Sequence, residues 1–151
     1  MIIKRLYFAG PLFTQAEWIW NATVAEQLRA SGFDVILPQE GSVPMLDGAA
    51  PFDPQVLFET NRDSIRSVDA VVAVLDQSDA DSGTCWECGY AYGLGKPVIG
   101  VRTDIRSSGD DGALNLMLSR SCRTTISLPL AERSNIIWLV QAIVKTLNTL
   151  Q

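Results

Sequence analysis

The chain has 151 residues, 47% of them hydrophobic and 19% charged, with a mean hydropathy of +0.14, long enough for one domain with a full core. Its net charge is −5 and its pI about 4.6, with no basic run, which disfavours nucleic-acid or membrane-surface binding through a positive patch. It contains no histidine, which removes Ser–His and Cys–His nucleophile activation and most zinc and copper sites, and leaves acid–base work to Asp, Glu, Tyr, Lys or Cys.

Residues 2–9 read as a first strand, closed by the tight turn Gly10-Pro11. Residues 13–30 carry helical spacing, with Trp18, Ala22, Ala25 and Leu28 as inward candidates and Gly32 as the C-cap. Residues 33–38 form a second strand, so a right-handed crossover and a parallel sheet are expected. Residues 39–54, with three prolines and two glycines, read as one long loop that either lies over a site or is a plain surface excursion. Residues 54–67 predict a helix with Pro near its N1 position and Val56, Leu57 and Ile65 as apolar anchors.

Ala70-Val-Val-Ala-Val-Leu75 is an apolar run expected to be a buried third strand. A short helix follows, with Asp81, Ser82 and Thr84 all available as N-cap, and it stops at the Gly93-Leu-Gly95-Lys-Pro97 turn. Residues 96–102 are a fourth strand, 103–112 a polar loop, 113–118 a short helix or turn, 125–128 a fifth strand and 131–150 a closing helix in which Trp138 packs on the sheet. The pattern contains no repeat, linker or second core. It is a single-domain doubly wound α/β fold over residues 1–151, flavodoxin-like, with about five parallel strands flanked by helices. No apolar segment reaches transmembrane length and the opening residues lack signal-peptide order, so a cytoplasmic location is expected. An odd count of three cysteines argues against a disulfide scaffold.

Chemistry concentrates in Asp81-Ser-Gly-Thr-Cys-Trp-Glu87-Cys-Gly-Tyr-Ala91. Glu87 is expected in the first helical turn, at the C-terminal mouth of the sheet where ligands of open α/β folds collect. There the helix dipole favours the ionised carboxylate, suited to act as nucleophile or base. Gly89 inside the helix suggests a close approach to the backbone, since it weakens a helix by roughly 1 kcal/mol relative to Ala. Asp81 supplies a second carboxylate facing the same mouth, and paired carboxylates are the minimum equipment for chemistry at an anomeric carbon.

Other motifs fit poorly. Cys85-Trp-Glu-Cys88 has redox spacing, but no thioredoxin-like surroundings, and Cys122 alone does not complete a zinc site. The segment from Gly89 to Lys96 leads into a strand rather than a helix, and Pro97 stands where a P-loop has Ser or Thr. No G-x-G-x-x-G follows the first strand. Trp18, Trp20 and Trp86 are candidates for base stacking, although large aromatics serve more often in cores and interfaces.

With Tyr7-Phe-Ala-Gly-Pro-Leu-Phe13, the Glu87 stretch, Gly95-Lys-Pro97 and Asn115-Leu-Met117 in this order, residues 5–118 resemble the nucleoside 2-deoxyribosyltransferase family. The resemblance implies transfer of a 2-deoxyribosyl group between nucleobases through a covalent glycosyl-enzyme on Glu87, in nucleoside salvage and without metal or other cofactor. By position, Tyr7 orients Glu87 and Asp81 holds the sugar hydroxyls. Phe13 packs near the base, and Gly10, Gly83 and Asn61 belong to the substrate site. Asn115 and Met117 reach the site of a neighbouring subunit, which implies a homo-oligomer. The partners implied are a 2′-deoxyribonucleoside and a free nucleobase.

This chain departs from the family pattern at one point. Where the pattern has an Asp that protonates and recognises the base, this chain has Asn61, and an amide cannot be a general acid. Asp63 is about 200° around the helix from it. An N-glycoside hydrolase acting on nucleosides or nucleoside 5′-monophosphates is the alternative. The segment from Gly10 to Thr14 has no Arg or Lys for a phosphate, which favours a free 5′-hydroxyl. A further alternative is a nucleoside-binding module without turnover, which needs neither Glu87 nor its partner Tyr7.

Overall fold

A computed structural model describes residues 2–46, 48, 51–105 and 114–150. Five strands form one parallel sheet in the order β2-β1-β3-β4-β5: β1 (Arg5–Ala9), β2 (Asp34–Ile36), β3 (Ala70–Val74), β4 (Val98–Arg102) and β5 (Thr124–Ser127). This is the flavodoxin-like order, with its switch point between β1 and β3, where ligand crevices open. All five residues of β3 and of β4 are buried, as expected of central strands covered on both faces.

Strand alternation sorts the core into two layers. Leu6, Phe8, Val72 and Val74 face α1 (Gln15–Ala30) and α6 (Ile136–Thr149), where they meet Val24, Leu28, Leu139 and Ile143. Tyr7, Ala9, Val71, Ala73 and Leu75 face the opposite layer, with Ile65 of α3 (Pro54–Ser67), Cys88 and Ala91 of α4 (Ser82–Gly93), and Leu118 of α5 (Leu116–Ser121). Trp138 packs against the first layer. The two layers place α1 and α4 on opposite sides of the switch point.

Helix ends follow local chemistry. Thr14 and Glu17 form a complete capping box for α1, and Gly32 follows its C-cap at φ +96°, a conformation that favours glycine. Asp53 caps α3 and Pro54 opens it.

Three expectations need correction. The expected loop over 39–54 is in part a helix, α2 (Pro38–Leu46). Pro38 presets its first turn, Glu40 of that turn pairs with Arg29 at 2.7 Å, and the side chains of Gln39 and Ser42 are buried. These tertiary contacts override Gly41 and Pro44, which weigh against a helix locally. In α1, Ala22 is exposed, while Asn21, Val24, Ala25 and Leu28 form the buried stripe and Trp18 is half-buried. In α3, Ile65 is buried but Val56 is 46% exposed and does not anchor the helix. Residues 106–113, most of the expected polar loop and the start of the expected short helix, lie outside the described residues.

Candidate active site

Tyr7 lies within β1, paired to Ile36 and Val71, and is fully buried. Its side chain points into the α4 layer, where its hydroxyl donates to Glu87 Oε1 at 2.5 Å. Burial, with the adjacent Glu87 carboxylate, pushes the phenol far above its usual range, so Tyr7 stays protonated and acts as a donor. This bond joins the first strand to a helix 80 residues later in the chain.

Asp81 is the N-cap of α4: its Oδ2 accepts from the Thr84 backbone N–H at 2.8 Å and from Thr84 Oγ1 at 3.0 Å. Numbered from that cap, Glu87 is in the second turn rather than the first, beyond the reach of the strongest dipole effect. Its carboxyl is accordingly not held ionised. Burial pushes its pKa from 4.5 up to about 7, the Tyr7 hydrogen bond pulls it down, and nearby Asp81 pushes it up. Near neutral pH it is poised between acid and carboxylate, a common condition of reactive carboxyls.

Two glycines hold this region close. A Cβ on Gly83 would stand 3.1 Å from Asp81 Oδ2, crowding the capping carboxylate. A Cβ on Gly10 would lie 3.2 Å from Cβ and Cγ2 of Val74, so the β1–α1 turn runs tightly over the end of β3. Gly89, by contrast, has nothing within 4 Å of its would-be Cβ, and the expected close approach is absent among the described residues.

Phe13, on the turn after β1, is 77% exposed. Asn61 is half-buried on α3 and its amide has no hydrogen-bond partner among the described residues. Asp63 is exposed and engaged with Arg62 at 2.9 Å and Arg66 at 3.5 Å. Asn115 caps α5, accepting from the Met117 N–H at 2.9 Å, while the Met117 side chain is 77% exposed. These two residues border a cleft of about 440 Å³ with Cys85, Gly89 and Tyr92. That cleft flanks α4 roughly 200° around the helix from Glu87, so within one chain Asn115 and Met117 do not meet it.

On the α1 side of the switch point lies a second cleft of about 470 Å³, lined by Pro11, Thr14, Asn21, Val74 and Asp76 among others. Trp86 stacks on Tyr90 with ring centroids 5.0 Å apart and meets Phe58 edge-on at 5.4 Å, tying α4 to α3. Cys88 is a core residue, and burial pushes its thiol up, as it does that of Cys85 together with Asp79 and Asp81. Sequence reasoning missed Gln39, because it stood in the expected loop, and Asn21, whose only signal is a polar residue on the buried stripe of α1.

The family model of nucleoside 2-deoxyribosyltransferase matches residues 6–118. A conserved protein from Enterococcus faecalis V583 is 29% identical, with a TM-score of 0.72 over 90% of this chain and 98% of that one. A 2-deoxyribosyltransferase from Bacillus psychrosaccharolyticus is 27% identical, with a TM-score of 0.65 over 87% and 90%. A 2-deoxyribosyltransferase from Leishmania mexicana is 25% identical, with a TM-score of 0.63 over 91% and 97%. No curated protein matches the chain.

Proposed function

Because this chain belongs to the nucleoside 2-deoxyribosyltransferase family, we propose that it exchanges the base of a 2′-deoxyribonucleoside through a glycosyl-enzyme on Glu87. The observation that carries this reading is the 2.5 Å hydrogen bond from buried Tyr7 to Glu87. It fixes one carboxylate oxygen and leaves the other for C1′. In the first step Glu87 bonds to C1′ as the C1′–N bond breaks, and the base departs with the bonding electrons and takes up a proton. In the second step a nitrogen of an incoming base attacks C1′, Glu87 leaves as a carboxylate and the surplus proton of the incoming base passes to solvent, giving net retention. Tyr7 steadies the charge that returns to Glu87 in this step.

Asp81 Oδ2 is committed to Thr84, so Oδ1 is the acceptor offered to a sugar hydroxyl. Phe13 supplies an apolar wall to the base. Asn61 reads a base edge without acting as an acid, so protonation of the departing base falls to solvent. Exposed Met117 and its neighbour Asn115 complete the site of an adjoining subunit in a homo-oligomer.

A free 5′-hydroxyl is favoured over a 5′-phosphate by a specific contact. Amides at a helix N-terminus after a strand are the natural anion cradle of this architecture. Here the Glu17 carboxylate already takes the N–H groups of Phe13 and Thr14, at 2.9 and 2.8 Å.

The deciding experiment follows thymidine or deoxyinosine by chromatography with and without free adenine. Formation of deoxyadenosine only when adenine is present supports transfer, and its loss in Glu87→Ala supports the nucleophile. Free base and deoxyribose regardless of adenine would favour hydrolysis, and exchange that survives Glu87→Ala would refute the mechanism.

A further inference from the structure

The turn that carries Phe13 is held at every residue from Pro11 to Thr14. The buried Asn21 amide donates to the Pro11 carbonyl at 2.9 Å. The Trp18 indole N–H donates to the Leu12 carbonyl at 2.5 Å. Glu17 accepts from the N–H groups of Phe13 and Thr14. Behind them stands Gln39 of α2, only 3% exposed: its Oε1 faces Asn21 Nδ2 at 3.3 Å and its Nε2 donates to the Trp18 carbonyl at 2.9 Å.

A surface turn needs no such support, since water satisfies its backbone groups. This turn is tied to α1 by the Asn21 amide, which Gln39 of α2 braces in turn, each 3% exposed, yet the residue it presents, Phe13, is 77% exposed. Rigidity without burial of the presented side chain is the mark of preorganisation, in which ordering is completed before a ligand arrives. Gly10 fits the same arrangement, because a Cβ there would crowd Val74 and push the turn away from β3.

We infer that Asn21 and Gln39 are positioning residues that hold the β1–α1 turn so that Phe13 stands ready as a rigid wall for the nucleobase. The inference rests on the function proposed above for its ligand, but not for its mechanics. α2 thereby gains a role at the site without touching substrate.

Two near-isosteric variants test it: Asn21→Asp, which replaces the donor to Pro11 with an acceptor, and Gln39→Met, which removes both amide contacts. Amide hydrogen exchange at Phe13 and Thr14, measured on the free protein, should accelerate at least about tenfold in either variant. With a deoxyribonucleoside and excess adenine, KM should rise about fivefold or more while kcat stays within about twofold. Combined with Phe13→Ala, neither variant should raise KM appreciably further, because both act through the same ring. Unchanged exchange in the variants would overturn the clamp, as would KM effects that add to that of Phe13→Ala. A variant that loses kcat and folded protein together, while the other shows no KM change, would reduce the contacts to a structural role. If the unaltered protein turns over no nucleoside, the proposed reaction fails, and the exchange data alone still decide whether the clamp exists.

Discussion

The two sides of α4 present opposite solutions to the same helix. Toward β1, Glu87 is buried against Tyr7, with a pKa raised to about 7 by that burial. Toward α5, Cys85, Gly89 and Tyr92 border an open cleft in which Gly89 has no neighbour within 4 Å of a would-be Cβ. One side concentrates an unfavourable charge for which folding alone has no use; the other leaves space that a single chain does not fill. Stability is given up where chemistry is expected, and surface is left unpacked where a second subunit is proposed.

Substituting the buried carboxyl should break this contrast most strongly. Glu87→Gln keeps the shape and the Tyr7 contact but removes the nucleophile, and should reduce base exchange by on the order of 10³-fold or more in single-turnover assays. The same variant should be more stable than the parent at alkaline pH. The folded-state pKa of Glu87 lies above the unfolded value, so the folded form holds an extra proton between pH 4.5 and about 7. Its contribution is fully present below about pH 4.5 and is lost as pH rises through 7. Denaturant titrations should therefore show parent stability falling by about 3 kcal/mol more than that of Glu87→Gln across this window.

Tyr7→Phe sharpens the comparison by removing only the hydroxyl. A buried hydrogen bond to a charged group contributes about 1.5–3 kcal/mol, so kcat should fall about 10–100-fold. Because the Tyr7 bond lowers the Glu87 pKa, its loss should move the rising limb of the pH–rate profile to higher pH. A profile that stays in place would separate Tyr7 from the titration of Glu87.

Smaller effects are expected away from the carboxyl. Glu17→Ala removes the acceptor that completes the cap of α1, lowering stability by about 1 kcal/mol, and frees the Phe13 and Thr14 amides. Competition by deoxynucleoside 5′-monophosphates should strengthen in this variant, read as a lower inhibition constant. On the open side, Gly89→Ala should raise the stability of the isolated chain by up to about 1 kcal/mol, since helix propensity improves and no neighbour is displaced. A loss of assembly in the same variant, seen by sedimentation, would place a neighbouring subunit against Gly89.

Much of the architecture was legible because it rests on local patterns. The Val-rich run of β3 reads as a buried strand, Asp81 is among the cap candidates of α4, and the Gly95 turn at φ +72° and the Pro54 start punctuate the helices next to them. The family motif carried the pairing of Tyr7 with Glu87, which no local rule supplies. What escaped was whatever depends on distant partners. α2 reads as a loop because Gly41 and Pro44 argue against a helix, and only contacts with Arg29, Asn21 and the Trp18 carbonyl reverse that local preference.

The alternation of strands and helices that calls for a parallel sheet, the Pro54 start of α3 and the presence of a carboxylate on α4 were therefore determined by the sequence itself, through propensity, capping and hydrophobic period. The protonation of that carboxylate and the clamp beneath Phe13 were decided only by tertiary structure. Desolvation and long-range hydrogen bonds are properties of the assembled environment, and the Tyr7–Glu87 bond closes across 80 residues that no local window can span.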